Sequence, residues 1–494
     1  MSGDPFAGPP GRAQERLAAR EPDAQEIGPL AGSDGAAVGE PGGAGGIERR
    51  EPGGVGEVVR HRGVGGDREH SVEDRARHVV GGEDVDEILR EEVARAQPVD
   101  ARDLRAHQYA EDSGPLTHPP RPNQFKEINN FYTATVYVKG AAIVRMIQTY
   151  LGKDMFRKGM DIYLERHDGD AAIIEDFVKC FEDASGKDLT HLQKWYTVAG
   201  RPDVNVTHTY DGENKRLTIN LEQVNKPTPG DEHKEPKFIP IRFGLVSDNG
   251  EDLSWDSVTG ATVEDDLMIL DQAKQTVVFE GVSSKPTLSL FRDFSAPVSV
   301  ASDLTMADKL NLARLDKDPF NRWDSLQNVA LDILVPAAKV DGEDPTPQDL
   351  AQLAEAFRAI LTDNTLDDAF KALTLSLPTQ NVLAEHIGQN VDPERIYDIR
   401  RMALTAIATM IEPELAQAYK SLVDEGDYSP DAKSAGKRAL KNQCLSLLLA
   451  ADEDKGGQVA VAQYHAATNV TDRRAALATL AAANHAKAPE LLKH

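Results

Sequence analysis

A chain of 494 residues with 81 acidic and 55 basic side chains carries a formal charge of −26. It repels phosphate backbones and anionic membrane surfaces, which argues against nucleic acid or a membrane as partner. No run approaches the ~18 apolar residues of a membrane span, and Met1-Ser2-Gly3-Asp4-Pro5 opens neither a basic nor an apolar leader region.

At ~150 residues per domain the length allows about three domains. Cys180 and Cys444 both sit in apolar helical patterns. They read as buried free thiols in a reducing compartment, so a cytoplasmic protein is expected.

Residues 1–98 differ from the rest. They hold 19 of the 38 glycines and no Lys, Asn, Thr, Tyr, Trp or Cys. Such a segment cannot bury enough apolar surface to offset its ordering entropy. Two readings are open: a disordered acidic tail, or GC-rich DNA translated in another frame. Only residues 83–96, with Val85, Ile88, Leu89 and Val93 on one side, have the period of a helix.

Residues 99–200 read as helical. Apolar spacing predicts helices over 141–151, 154–166, 172–184 and 189–198, with Gly152 as the C-cap after Leu151. Their aromatic side chains read as packing. Over 201–300 the period falls to two. Six or seven short strands with turn signals such as Asp211-Gly212 and Asp248-Asn249-Gly250 predict a small β-sandwich. Residues 301–494 return to helical period, with helices expected at 303–315, 322–339, 347–361, 393–411, 413–423, 432–450, 457–467 and 472–484. The fold class is therefore mixed and mainly α, ending in an α-solenoid of stacked helix pairs.

The 13 histidines include no two spaced four apart. A His-Glu-x-x-His helix needs that spacing to put both imidazoles on one face, so no zinc site can be drawn. Phosphate-binding glycine loops and the Gly-x-Ser-x-Gly elbow are also absent from the sequence.

The remaining chemical signal is Glu127-Ile128-Asn129-Asn130-Phe131-Tyr132-Thr133-Ala134-Thr135-Val136-Tyr137. A phenol titrates near about 10, so at neutral pH it donates a hydrogen bond. Aimed at the oxygen that gains charge during peptide hydrolysis, such a donor lowers the barrier by a few kcal/mol.

This segment resembles the aminopeptidase N family of zinc metallopeptidases, in its bacterial form. So do Gln108-Tyr109-Ala110-Glu111-Asp112-Ser113-Gly114-Pro115, Tyr163-Leu164-Glu165-Arg166-His167-Asp168-Gly169, Phe294-Ser295-Ala296-Pro297-Val298 and Phe320-Asn321-Arg322-Trp323-Asp324, in the same order. The resemblance implies a zinc enzyme that removes N-terminal residues from peptides. Tyr137 would stabilise the tetrahedral intermediate, and Tyr132, Asn129 and Glu127 would line the same cleft. It further implies that 99–200 is the C-terminal half of a thermolysin-like catalytic domain, before the sandwich and the helical superhelix.

The departures are as specific as the match. The Gly-Ala-Met-Glu-Asn loop, both zinc histidines, the glutamate base between them and the third ligand are missing, and the end of the superhelix has no counterpart. His118 and His167 read as structural. The chain alone is therefore expected to be inactive. The rival expectations are a non-catalytic protein-binding scaffold of sandwich and solenoid, and completion by a separate chain bearing the zinc half.

Overall fold

The computed structural model describes residues 101–423 and 428–493. The described residues lie within one compact unit, residues 70–494. The segment 1–98 and the helix expected at 83–96 fall outside the described residues.

A π-helical turn, Leu104–Gln108, leads into α1 (Tyr109–Ser113). A second π-helical turn, Thr135–Lys139, leads into α2 (Gly140–Leu151), which buries Ile143, Met146 and Ile147. Gly152 ends α2 at φ +79°, and its N–H returns to the Gln148 carbonyl at 2.8 Å. α3 (Lys153–His167) and α4 (Ile174–Ser185) follow as an antiparallel pair. The Phe156 and Phe181 rings stack at 4.9 Å across it. That approach requires Gly159, because a Cβ there would lie 2.2 Å from the Phe181 ring. α5 (Gln193–Thr197) then buries Trp195, whose Nε1 donates to the Phe238 carbonyl at 2.7 Å and fastens the helical layer to the next one.

That next layer is a two-sheet sandwich. Its strands are β1 (Pro202–Asp211), β2 (Arg216–Asn225), β3 (Ile239–Val246), β4 (Ser257–Thr259), β5 (Val263–Glu264), β6 (Leu267–Leu270), β7 (Lys274–Glu280), β8 (Thr287–Leu290) and β9 (Ser299–Ser302). One sheet runs β4-β7-β2-β1-β9 and the other β5-β6-β3-β8. The long β1–β2 hairpin pairs Pro202 with Asn225 at one end and Asp211 with Arg216 at the other. β9 is parallel to β1, with Asp203 opposite Ser299. Alternation puts Val204, Val206, Leu217, Ile219 and Leu221 into the shared core against Ile241, Phe243 and Leu245. β4, β5 and β9 were not expected. Each is two to four residues long and at least half of it faces water, so no period of two could register.

The remainder is helical: α6 (Met306–Leu315), α7 (Pro319–Ala337), α8 (Pro347–Thr362), α9 (Asp368–Thr374), α10 (Gln380–Ile387), α11 (Pro393–Met410), α12 (Glu412–Ser421), α13 (Ala432–Ala451), α14 (Glu453–Ala466), α15 (Val470–Ala482) and α16 (Ala488–Leu491). α9 and α10 were missed because seven and eight residues make too few turns for a helical period to stand out. The helix expected at 303–315 starts later. Thr305 caps it in a reciprocal box with Asp308, while Asp303 binds the His208 backbone N–H at 2.9 Å. The helix expected at 322–339 starts earlier, because Pro319 at the first turn follows the N-cap Asp318. A small cluster of Leu104, Tyr109, Phe294, Phe320, Trp323 and Phe370 joins the first helical layer to the last.

Asp318 carries a testable consequence. Its carboxylate accepts from the backbone N–H of Asn321 at 2.8 Å and of Asp293 at 3.1 Å. Burial nevertheless pushes this carboxyl up to about 7. The unfolded chain ionises it near about 4, so between those values the folded state holds the extra proton. The stability linked to that proton is complete below the window and is lost as pH rises through it. Asp318→Asn keeps an N-cap acceptor and carries no charge. It should raise the calorimetric melting temperature at pH 8, by the equivalent of about 1–3 kcal/mol, and leave it nearly unchanged at pH 4.5.

Candidate functional site

The tyrosine segment is built from two short turns. Glu127 precedes the 3₁₀ turn Ile128–Phe131, and the Asn130 side-chain oxygen accepts from the backbone N–H groups of Lys126 at 3.1 Å and Glu127 at 3.2 Å. Asn130 therefore shapes the turn, while Asn129 and Glu127 stay exposed beside it. Phe131 packs on Phe125 with centroids 4.6 Å apart.

Tyr132 and Tyr137 face water, at 67% and 59% exposure. Their rings lie 6.1 Å apart and within 21° of parallel. The structure thus brings the two tyrosines together on one surface, with Asn129 and Glu127 on the adjacent turn. Neither tyrosine is a core residue.

What holds them lies underneath. The Thr135 backbone N–H and hydroxyl both donate to Glu111 Oε2 at 2.7 Å, and the Gln108 amide donates to the Thr135 hydroxyl at 3.3 Å. Two residues beyond Tyr137, the Lys139 ammonium donates to Asp112 at 2.8 Å and to the Gly200 carbonyl at 2.9 Å. The Lys139 and Asp112 side chains are fully enclosed. Burial pulls Lys139 below the usual lysine range, and the Asp112 carboxylate opposes that pull. Tyr137 is therefore an exposed phenol on a π-turn fixed to α1 on both sides, by the half-buried Thr135–Glu111 bonds and the buried Lys139–Asp112 pair. A π-bulge often marks a functional position, and rigid mounting is what an aimed hydrogen-bond donor needs.

Sequence reading missed this support. Its one visible signal was Lys139, a charge inside an otherwise apolar helical pattern. His118 donates from Nδ1 to the Pro119 carbonyl at 2.9 Å and lies 3.8 Å from Glu111, so it braces the same support. His167 packs tilted against the Tyr163 ring, with centroids 5.6 Å apart.

Among the described residues no three His, Cys, Asp or Glu side chains converge to hold a metal ion. The residues described do not fit a zinc, and no chemical step is assigned to one here. Cys180 and Cys444 are buried and unpaired. No described helix is long and apolar enough to cross a membrane.

Comparison with known proteins agrees with this architecture. The model described as "Peptidase family M1 domain" matches residues 85–196. "Domain of unknown function (DUF3458) Ig-like fold" matches 200–303, and "Domain of unknown function (DUF3458_C) ARM repeats" matches 306–494. Aminopeptidase N of Escherichia coli (strain K12) is 36% identical over 383 residues, which is 77% of this chain and 43% of that protein. Aminopeptidase N of Caulobacter vibrioides is 38% identical over 375 residues, 76% of this chain and 42% of that protein. The crystal structure of Legionella pneumophila aminopeptidase A in complex with aspartic acid superposes with a TM-score of 0.65 at 27% identity, covering 77% of this chain and 43% of that one. The chain spans less than half the length of these relatives. With three successive family models in the same order and these relatives over three quarters of its length, the chain belongs to the aminopeptidase N family of zinc metallopeptidases.

Proposed function

We propose that this chain contributes the oxyanion-stabilising side of a zinc aminopeptidase, an enzyme that removes N-terminal residues from peptides. In this reading the Tyr137 hydroxyl donates a hydrogen bond to the former carbonyl oxygen of the scissile bond. Tyr132, Asn129 and Glu127 line the cleft that receives the peptide's N-terminal end. The observation that carries the reading is the mounting of Tyr137: exposed at the tip, with the residues two before and two after it clamped to half-buried Glu111 and buried Asp112.

No cluster that could hold a metal ion lies among the described residues. The chain alone is therefore proposed to be inactive. Assayed on an aminoacyl-nitroanilide with added zinc, it should release no more nitroaniline than a Tyr137→Phe control. Turnover clearly above that control overturns the proposal.

Completion in trans has an observation in its favour. Phe125, Ile128, Tyr132 and Tyr137 are all more than half exposed within thirteen residues of chain, an apolar surface of the kind that marks an interaction site. A separate polypeptide bearing the zinc half is the partner this reading requires. The buried, unpaired thiols suit a reducing compartment, so the cytoplasm is the proposed location.

A further inference from the structure

A cavity of ≈ 420 Å³ opens where the first helical layer, the sandwich and the C-terminal helices meet. It is remote in sequence from the tyrosine turn, and its lining is distinctive for so acidic a chain. Four arginines, Arg102, Arg105, Arg201 and Arg400, face three acids, Asp203, Asp324 and Glu385.

The acids are already engaged. Asp324 pairs with Arg105. Glu385 pairs with Arg201 at 3.2 Å, and Arg201 also lies over the Tyr109 ring at 4.0 Å. Asp203 is held at 2.7 Å by Lys226, which does not line the cavity. That leaves Arg102 and Arg400 without an acidic partner among the described residues.

Arg400 is the more telling of the two. Its Nε donates to the Pro378 carbonyl at 2.8 Å and its Nη2 reaches the Leu377 carbonyl at 3.5 Å. Burial with no compensating carboxylate lowers its pKa. Arg400 is half-buried, and a guanidinium partly withdrawn from water without a counter-charge is costly, with dipoles offsetting only part of the cost. The planar fork suits a carboxylate geometrically. Trp323, Leu331, Val300 and Leu377 give the wall an apolar stretch, beside polar Gln327 and Asn328. The volume lies within the range of small-molecule sites. With three acids also in the wall, a monoanion is favoured over a dianion such as phosphate.

We propose that this cavity is a binding site for a small organic carboxylate with an apolar body, its anion held by Arg400 and Arg102 and its body against Trp323. No residue of the tyrosine turn lines the cavity, and the proposal does not rest on the peptidase reading. The carboxylate can belong to a free acid or to the C-terminus of a peptide.

Isothermal titration of the full chain with 3-phenylpropionate in about 150 mM salt tests it. Saturable binding with Kd below about 1 mM is expected, and 3-phenylpropionamide should bind at least about tenfold more weakly. Arg400→Met should lose at least about tenfold in affinity, and Arg102→Met likewise. If Arg400 only braces the Leu377–Pro378 turn, its loss changes the ligand-free melting temperature and leaves the affinity of the folded fraction intact. Arg102 is bonded to no described group, so Arg102→Met keeps the test alive should Arg400→Met fold poorly. A short peptide ending in phenylalanine, with a free or an amidated C-terminus, decides the source. Preference for the free terminus over phenylpropionate assigns the cavity to peptide ends, and the reverse assigns it to free acids; both support the site. No saturable heat, equal binding of acid and amide, or full affinity in both variants overturns it.

Discussion

Tyr137→Phe should lower kcat by roughly 10²–10³-fold, with KM moving less than about threefold, in an enzyme where this chain is completed by a polypeptide carrying a His-Glu-x-x-His half. The split follows from the role. A hydroxyl aimed at the developing oxyanion strengthens in the transition state and does little for the bound substrate. Phenylalanine removes one oxygen and keeps the ring, so the stacking with Tyr132 at 6.1 Å survives. Because Tyr137 is more than half exposed, its unfolding free energy should stay within about 0.5 kcal/mol of wild type. Tyr132→Phe is the comparison: in its proposed cleft-lining role it should move KM more than kcat. Steady-state kinetics on one aminoacyl-nitroanilide with the three proteins gives both ratios. Equal kcat for wild type and Tyr137→Phe removes Tyr137 from the chemistry.

Much of the scaffold was legible because its signals are local. Leu217-Thr218-Ile219-Asn220-Leu221 alternates and became the middle of β2, with every second residue buried. Ile143, Met146 and Ile147 have helical spacing and became the buried face of α2. What stayed illegible depends on partners far along the chain. β9 exists because Ser299 to Ser302 finds the edge of β1, nearly a hundred residues earlier. The cavity at the layer junction draws on Arg105, Arg201, Trp323 and Arg400, and no window of sequence contains more than one of them. The candidate site shows the same division. Its tyrosines stood out as a string, whereas the clamp beneath them joins residues 24 and 27 positions apart. A charge inside an apolar period announces that a partner exists and does not say where.

Asp112→Ala should cost about 3–5 kcal/mol of folding stability, which is a large share of the roughly 5–15 kcal/mol that holds a typical domain together. The Lys139 and Asp112 side chains are 0% and 1% exposed and 2.8 Å apart, so removing the acid leaves an ammonium with no water and no bonded counter-charge, only the more distant Glu111 carboxylate. The Gly200 carbonyl that Lys139 also contacts accepts from Lys237 as well, at 3.1 Å, and cannot supply the missing charge. Replacing both partners removes the orphan. Asp112→Leu with Lys139→Met should recover most of the loss, because an apolar pair of similar volume replaces two charges that were expensive to bury. Denaturant titration of Asp112→Leu, Lys139→Met and the double variant gives the coupling. The pH dependence follows in sign. Burial already lowers the Lys139 pKa and Asp112 opposes it, so losing Asp112 lowers it further. Between that value and the ordinary lysine value near about 10.4 the unfolded chain binds the extra proton, and stability rises with pH. The penalty of Asp112→Ala should therefore shrink between pH 7 and 9.5. Because the pair anchors the turn two residues past Tyr137, the same variant should lose catalytic rate in the completed enzyme even at temperatures where it is fully folded, while the Leu/Met double variant regains stability and rate together.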